Sequence, residues 1–484
     1  MSTLASSFEK VPVVDVHRNN FRSFWPSILF ACKDASFIAV DVELSGLGPR
    51  KNLVVKDLNE RYKLVCDVAK TRAVLSLGIS CFKYKPSSRK ESQFAVQTYN
   101  ITTLCDQDYM VEPAALQFLV EHGFDFNKQY SKGILYHTGP DKGSEIDDIS
   151  IRNLFGEILM SCKPVVVHNG FIDMAFLYQH FYTNLPPSFS QFLVDLSEMY
   201  KGGLFDTKYL AEFTARMPSS YLEYVFRKCL RDNSNHTACE ERHITLTFQE
   251  YPDGSRFVEY HPCTLPETNQ GIQTEHKKKI CHLYSAFGFC KKSNCEDSHD
   301  LDVILDADQT RTEQKKKRRR RKRKMKTEEG QLDEESKENE PSPSPVLESD
   351  SQMDAAEADE PPRKLGKAEN GPAVSMTNDG GLALGKANEN SSVSPRQHGS
   401  HRAGFDAFMT GFALACIVNE QGKFPSEGEE EEGRQLEGFG MSREANKLAL
   451  TGKNIPMLIM KSSYAKSSQA HREKMERLSS SEGR

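Results

Sequence analysis

No run of 18 or more apolar residues occurs in the 484 residues, so no segment suits a membrane-crossing helix and no membrane partner is expected. The first residues lack a basic flank followed by an apolar core, so a secretory signal is not expected either. A disulfide framework is also missing. Of twelve cysteines, three cluster between Cys281 and Cys295, and the others are scattered, mostly in apolar segments, as Cys32, Cys66, Cys81 and Cys416 are. That distribution fits reduced core thiols in a reducing compartment. No internal repeat is present. Residues 327–396 are poor in aromatics and rich in acids, Ser, Pro, Gly and Asn, too little to bury a core, and they predict a disordered linker.

Net charge is only −5, but that average conceals opposed blocks. Lys315, Lys316, Lys317, Arg318, Arg319, Arg320, Arg321, Lys322, Arg323, Lys324 and Lys326 make 315–326 basic at every position but Met325, just before the acidic stretch. Blocks of like charge mark interaction tails and address labels rather than packed cores.

From about Phe21 the pattern is that of a folded domain. Ser36–Leu44, Ala73–Tyr84 and Gln93–Thr103 predict strands, the last two antiparallel neighbours, with a helix over Leu58–Lys70. Helices follow at Pro113–His122 and Ile151–Ser161. Pro164–Val167 is a short strand closed by His168-Asn169-Gly170, and Phe171–Phe181 is a helix. Thr245–Tyr260 predicts a hairpin around Pro252-Asp253-Gly254-Ser255. Order returns with a helix from His401 through Val418, and Lys447–Lys461 offers a terminal strand. Strands first, then alternating helix and strand, indicate an α/β fold with a mixed sheet flanked by helices.

Chemistry is carried by acids in apolar surroundings. Asp41 and Glu43 stand two apart in a predicted buried strand, so both side chains face one side of the sheet. Two adjacent anions there repel each other and resist desolvation, and a divalent cation removes both costs. The plain structural reading puts one acid at a strand end and the other in solvent. Asp173 opens a helix after an apolar strand, where charge compensation at a helix N-terminus is the ordinary explanation. Asp406 lies in a helix otherwise made of Phe, Met, Leu and Ala, with His401 just before it.

Taken in order, Asp41, Glu43, Asp173 and His401 with Asp406 five residues on resemble the three exonuclease motifs of DEDDh nucleases, which share a ribonuclease H-like fold. The phrases FLVEHGFDFNK after Leu116 and GGLFDTKYLA around Asp206 look like the deadenylase branch, which includes poly(A)-specific ribonuclease and the CCR-associated-factor deadenylases. The resemblance covers roughly residues 21–230 and 395–465. It implies a 3′→5′ exoribonuclease acting on poly(A) or oligo(A) tails, small nuclear RNAs among them, by two-metal hydrolysis with two Mg²⁺. Asp41, Glu43 and Asp406 would hold one ion, Asp41 and Asp173 the other, and His401 would be the general base. Asp206 is not among the family's metal-binding acids and reads as structural. Homodimers occur in this branch.

Cys281, Cys290, Cys295 and His299 have the spacing C-x8-C-x4-C-x3-H, which suits one structural Zn²⁺ and matches the Cys₃His finger family. Tyr284, Phe287 and Phe289 lie between the ligands, with Lys291 and Lys292 beside them. Aromatic faces with nearby cations suit single-stranded RNA. The alternative is that the aromatics form the finger's own small core. The basic run could neutralise RNA phosphates or be read by nuclear import receptors, and import, hence a nuclear location, is favoured. The expected organisation is nuclease, first part, 21–240; finger, 275–302; basic segment, 315–326; linker, 327–396; nuclease, second part, 397–465; solvated polar tail, 466–484. Two other readings stay open: an inactive nuclease fold kept as an RNA-binding adaptor, and a DNA exonuclease.

Overall fold

The computed structural model describes residues 8–88, 90–142, 149–265, 279–292, 294–335, 402–421 and 440–481. The chain divides into two units, 1–310 with 398–484, and 311–397.

The first unit is built on a mixed sheet. Its strands are β1 (Lys10–Val16), β2 (Phe37–Leu44), β3 (Val74–Lys85), β4 (Glu91–Cys105), β5 (Ile134–Tyr136), β6 (Val165–Val167), β7 (Leu204–Asp206), β8 (His243–Phe248), β9 (Val258–Pro262), β10 (Lys447–Leu448) and β11 (Met457–Leu458). The order across the sheet is β11-β10-β7-β6-β2-β3-β4-β1-β9. Strands β2, β3 and β4 form the expected antiparallel centre, and β6 and β7 join it in parallel. The outer edge of β4 is shared end to end by β8, β1 and β5.

Strand β2 alternates between two apolar layers, as a strand buried on both faces does. Ile38, Val40, Val42 and Leu44 enter one layer, and Phe37 and Ala39 the other. The first layer is covered by helices α1 (Phe21–Asp34), α2 (Leu58–Thr71), α3 (Ile151–Met160), α4 (Phe171–Leu177) and α5 (Phe189–Met199). Caps start several of them. Asp57 accepts from the Glu60 N–H at 2.8 Å, and Ser150 from the Asn153 N–H at 3.1 Å.

The second layer is covered by α6 (Leu222–Ala238) and by a helix from the far end of the chain. The segment Leu301–Glu335 is helix α7, and Ala403–Glu420 is helix α8. Every residue of α8 from Ala403 to Asn419 is buried, because the sheet lies on one side and α6 on the other. Phe226 of α6 meets Phe405, Phe408 and Phe412 edge to face. A helix apolar all round needs such a central place.

Two expectations are corrected. Thr245–Tyr260 is not a hairpin: β8 pairs with β4 in parallel and β9 pairs with β1, so the turn is local but the strands separate. The polar tail is not solvated throughout. Helix α9 (Gln469–Ser481) docks on the core with His471 and Lys474 buried. The basic run, 315–326, and the first of the expected linker, to Glu335, belong to α7. The remainder of the linker lies outside the described residues. Among the described residues, no helix is long and apolar enough to cross a membrane.

Candidate active site and a Cys/His cluster

Asp41 and Glu43 have the same parity as Phe37 and Ala39, so both face the layer that holds α8. Opposite Asp41 on β3 is Gly78, and opposite Gly78 on β4 is Asn100. This row of three forms the seat of α8. A Cβ on Gly78 would lie 1.8 Å from the Ala403 carbonyl oxygen, so only glycine lets the helix start this close to the sheet. On the far side of Gly78, Asn100 Oδ1 accepts from the Gly404 N–H at 3.1 Å and from Ser76 Oγ at 3.2 Å. The helix therefore begins pinned over the strand, and Asp406 in its first turn comes down beside Asp41 and Glu43.

Each of Asp41, Glu43 and Asp406 brings a ligand oxygen within 4.8 Å of the others. Burial pushes the Asp41 carboxyl well above the ordinary range, and the charges of Asp406, Asp173 and Glu43 add to that, in that order. Asp41 thus feels the other three acids, while Asp173 stands outside the group within 4.8 Å. Burial, then the charge of Asp206, raises Asp173 to about 7. Carboxylates crowded like this favour a hard cation that takes oxygen ligands, with Mg²⁺–O bonds of about 2.1 Å. The donor set fits one. His401 lies outside the described residues.

Asp206 does different work. Its two oxygens accept backbone N–H groups of Asn169, Gly170, Lys208, Tyr209 and Ala449 at 2.9 to 3.3 Å. It ties the turn before Asp173, with Asn169 at φ 60°, to β7 and to the segment after β10. Burial raises its pKa, and those N–H groups oppose the rise. His168 in the same turn shares a hydrogen with Thr207 Oγ1 at 2.9 Å, and burial lowers it to about 3, so it stays neutral. Sequence reasoning missed Gly78 and Asn100. A glycine inside an apolar strand was the available signal for the first, and nothing local marked the second.

The second cluster is Cys281, Cys290, Cys295 and His299, whose ligand atoms also lie within 4.8 Å of one another. Sγ of Cys281 and of Cys290 are 3.7 Å apart, close to the ~3.8 Å between two thiolates on one tetrahedral zinc with bonds of about 2.3 Å. The cysteines are free thiols, so the donors suit zinc. Tyr284 does not offer a free face: its ring stacks on His299 with centroids 4.5 Å apart, and its hydroxyl reaches Glu223. For this residue the structure favours the internal core over base stacking. Phe287, Lys291 and Lys292 are exposed. Phe289 lies under the Arg50 guanidinium, 4.3 Å from ring centre to Cζ. The cluster is docked rather than tethered. Ser219 Oγ donates to Ser285 O at 2.6 Å, and Arg227 pairs with Asp302 through two bonds at 3.0 and 2.7 Å.

Comparison with known proteins gives the following. The pattern of the CAF1 family ribonucleases matches residues 16–149 and 142–414. An uncharacterised protein of Schizosaccharomyces pombe is 29% identical over 164 residues, 32% of this chain and 38% of that one. A poly(A)-specific ribonuclease of Danio rerio is 26% identical over 136 residues, 25% of this chain and 20% of its own. This chain therefore spans well under half the length of these curated relatives. A solved structure of Schizosaccharomyces pombe Pop2p with Mg²⁺ and Mn²⁺ superposes with TM-score 0.34 at 17% identity, over 45% of this chain and 82% of that one.

Proposed function

This chain belongs to the CAF1 family of ribonucleases, and we propose that it is a 3′→5′ exoribonuclease that shortens adenylated RNA tails. The observation that carries the reading is the convergence of Asp41, Glu43 and Asp406 on one spot, with the charge of Asp173 acting on Asp41. Adenosine as the tail nucleotide is supported by relatives named poly(A)-specific ribonucleases. Two magnesium ions, when bound, supply charge to neutralise the scissile phosphate and acidify the attacking water. Asp41, Glu43 and Asp406 would hold one ion, and Asp41 with Asp173 the other. Asn100 and Gly78 keep Asp406 at that place, and Asp206 keeps the Asp173 turn. His401, adjacent to Arg402 at the start of α8, takes the proton of the water as general base. The water oxygen bonds to phosphorus while the bond to the 3′ oxygen breaks; that oxygen takes a proton from solvent, releasing 5′-AMP and leaving a new 3′-hydroxyl.

The test is a gel time course on 5′-labelled RNA with an oligo(A) tail, with and without Mg²⁺, comparing wild type with Asp41→Ala/Glu43→Ala. Stepwise shortening that needs metal and is lost in the variant is expected. Intact RNA that is nevertheless bound would make the chain an adaptor, and equal cutting of single-stranded DNA would make it a DNA exonuclease.

The Cys281/Cys290/Cys295/His299 cluster is read as a zinc finger, and residues 315–326 as a nuclear import label. Nuclear adenylated small RNAs are then natural substrates. A reporter carrying residues 301–335 should enter the nucleus, and exclusion of that reporter would remove the import reading.

A further inference from the structure

The finger is joined to the nuclease domain by two routes that lead back to the elements carrying the carboxylates. Along the first, Ser219 bonds the finger at Ser285 O, and the neighbouring Ser220 Oγ takes the Lys208 ammonium at 2.6 Å. The Lys208 N–H in turn donates to Asp206, which fixes the turn ahead of Asp173. Along the second, β2 runs on from Glu43 into a single helical turn at Arg50–Val54. Leu53 of that turn and Ile172, next to Asp173, line the same small cavity. Arg50 reaches from this turn onto the ring of Phe289. The seam thus sets an exposed guanidinium on an aromatic ring beside Lys51, Lys291 and Lys292, all exposed.

We propose that this seam, centred on Arg50 and Phe289, is a binding site for the single-stranded RNA that follows the 3′-terminal nucleotides out of the carboxylate site. The proposal rests on the reading of the chain as an RNA exonuclease. A planar cation stacked on an aromatic ring gives both a phosphate partner and a platform for a base. Single-stranded RNA needs both at intervals along its length, and the lysines continue the positive charge away from the site. In this arrangement the finger is one wall of the substrate path, and the nuclease domain alone holds only the end of the tail.

The experiment uses the full-length, zinc-loaded chain and two substrates, the dinucleotide ApA and a twenty-nucleotide oligo(A). ApA fills only the positions at the carboxylates. Arg50→Ala and Phe289→Ala should each raise KM for the long substrate by roughly five- to tenfold, with kcat within about twofold. ApA turnover and thermal unfolding should not change, and Arg50→Lys should recover part of the loss. Equal effects on both substrates, or none on either, would overturn the proposal. Should wild type cleave neither, the exonuclease reading fails separately. The seam is then judged by fluorescence anisotropy with labelled oligo(A): weaker binding in Arg50→Ala upholds it, and unchanged binding overturns it.

Discussion

Asp173 shows at the scale of one residue what the site costs without metal. Its carboxyl is raised from 3.8 to about 7 by burial and by the charge of Asp206. In the metal-free protein the folded state therefore holds a proton that the unfolded chain has released. This group's contribution to stability is complete below about pH 4 and is lost as pH rises toward about 7. Asp41, raised for the same reasons, acts in the same direction. Bound Mg²⁺ would displace those protons and remove the repulsion. The gain in melting temperature on adding Mg²⁺ should therefore grow between about pH 5.5 and about pH 7 and level off above that. Differential scanning fluorimetry across that range with and without Mg²⁺ reads it directly. A gain independent of pH would mean that the ion binds away from these acids. The acids themselves were legible in the sequence because charge in an apolar run is expensive anywhere. Asp206 was equally conspicuous. The resemblance set it apart as structural, and its five backbone partners show what it anchors.

At the scale of elements, the approach of α8 to the sheet decides the geometry. Gly78 and Gly404 remove side chains at the contact, and Gly411 does so further along, where a Cβ would lie 2.2 Å from Phe82. Gly78→Ala should lift the start of α8 off β3 and carry Asp406 away from Asp41. Overpacking of this kind costs about 1–3 kcal/mol, and displacement of a catalytic group by about 1 Å can cost on the order of a hundredfold in rate. Activity should thus fall far more than stability does, as kcat and urea unfolding measured on the same preparation would reveal. Comparable losses in both would indicate general unfolding instead. The central strands could be read from residue pattern: β2, β3 and β4 begin and end within two residues of expectation. Pattern specifies a strand but not its partner, which is why β8 and β9 were taken for a hairpin. Their turn at Gly254, φ 75°, forms as expected, while the pairing is set by the free edges of β4 and β1.

At the scale of the whole molecule, residues far apart in the chain complete one core. Helix α8 and strands β10 and β11 fill places in the layer and sheet begun by the first 210 residues. Loop closure across the long intervening segment costs only about 0.6 kcal/mol per doubling of length, so such an excursion is tolerated. Helix α9 adds a last closure that the sequence hid, because its apolar contacts are few and charged residues surround them. Met475 and Leu478 pack against the core. Lys474 Nζ reaches both oxygens of Asp141 at 2.7 and 2.8 Å, and Asp141 also holds the buried Arg152. Burial lowers the Lys474 pKa, opposed by its bonds to Asp141. Nearby, the Ser468 N–H caps the buried Asp195 at 2.8 Å, and Tyr182 OH meets His471 Nδ1 at the same distance. Removing residues 466–484 would leave Asp195 and Tyr182 without these partners and would uncover apolar surface on α3. Breaking one buried charged pair costs about 3–5 kcal/mol, and the lost packing adds to it. The truncated protein should therefore melt roughly 10 °C lower, on the scale of about 2–4 °C per kcal/mol for a domain of this size. Because none of these residues touches the carboxylate site, RNA shortening at low temperature should persist at close to the full-length rate. A truncated chain that melts normally would return the tail to solvent. One that folds but has lost activity would connect α9 to the site through α3 and α5, the helices it touches.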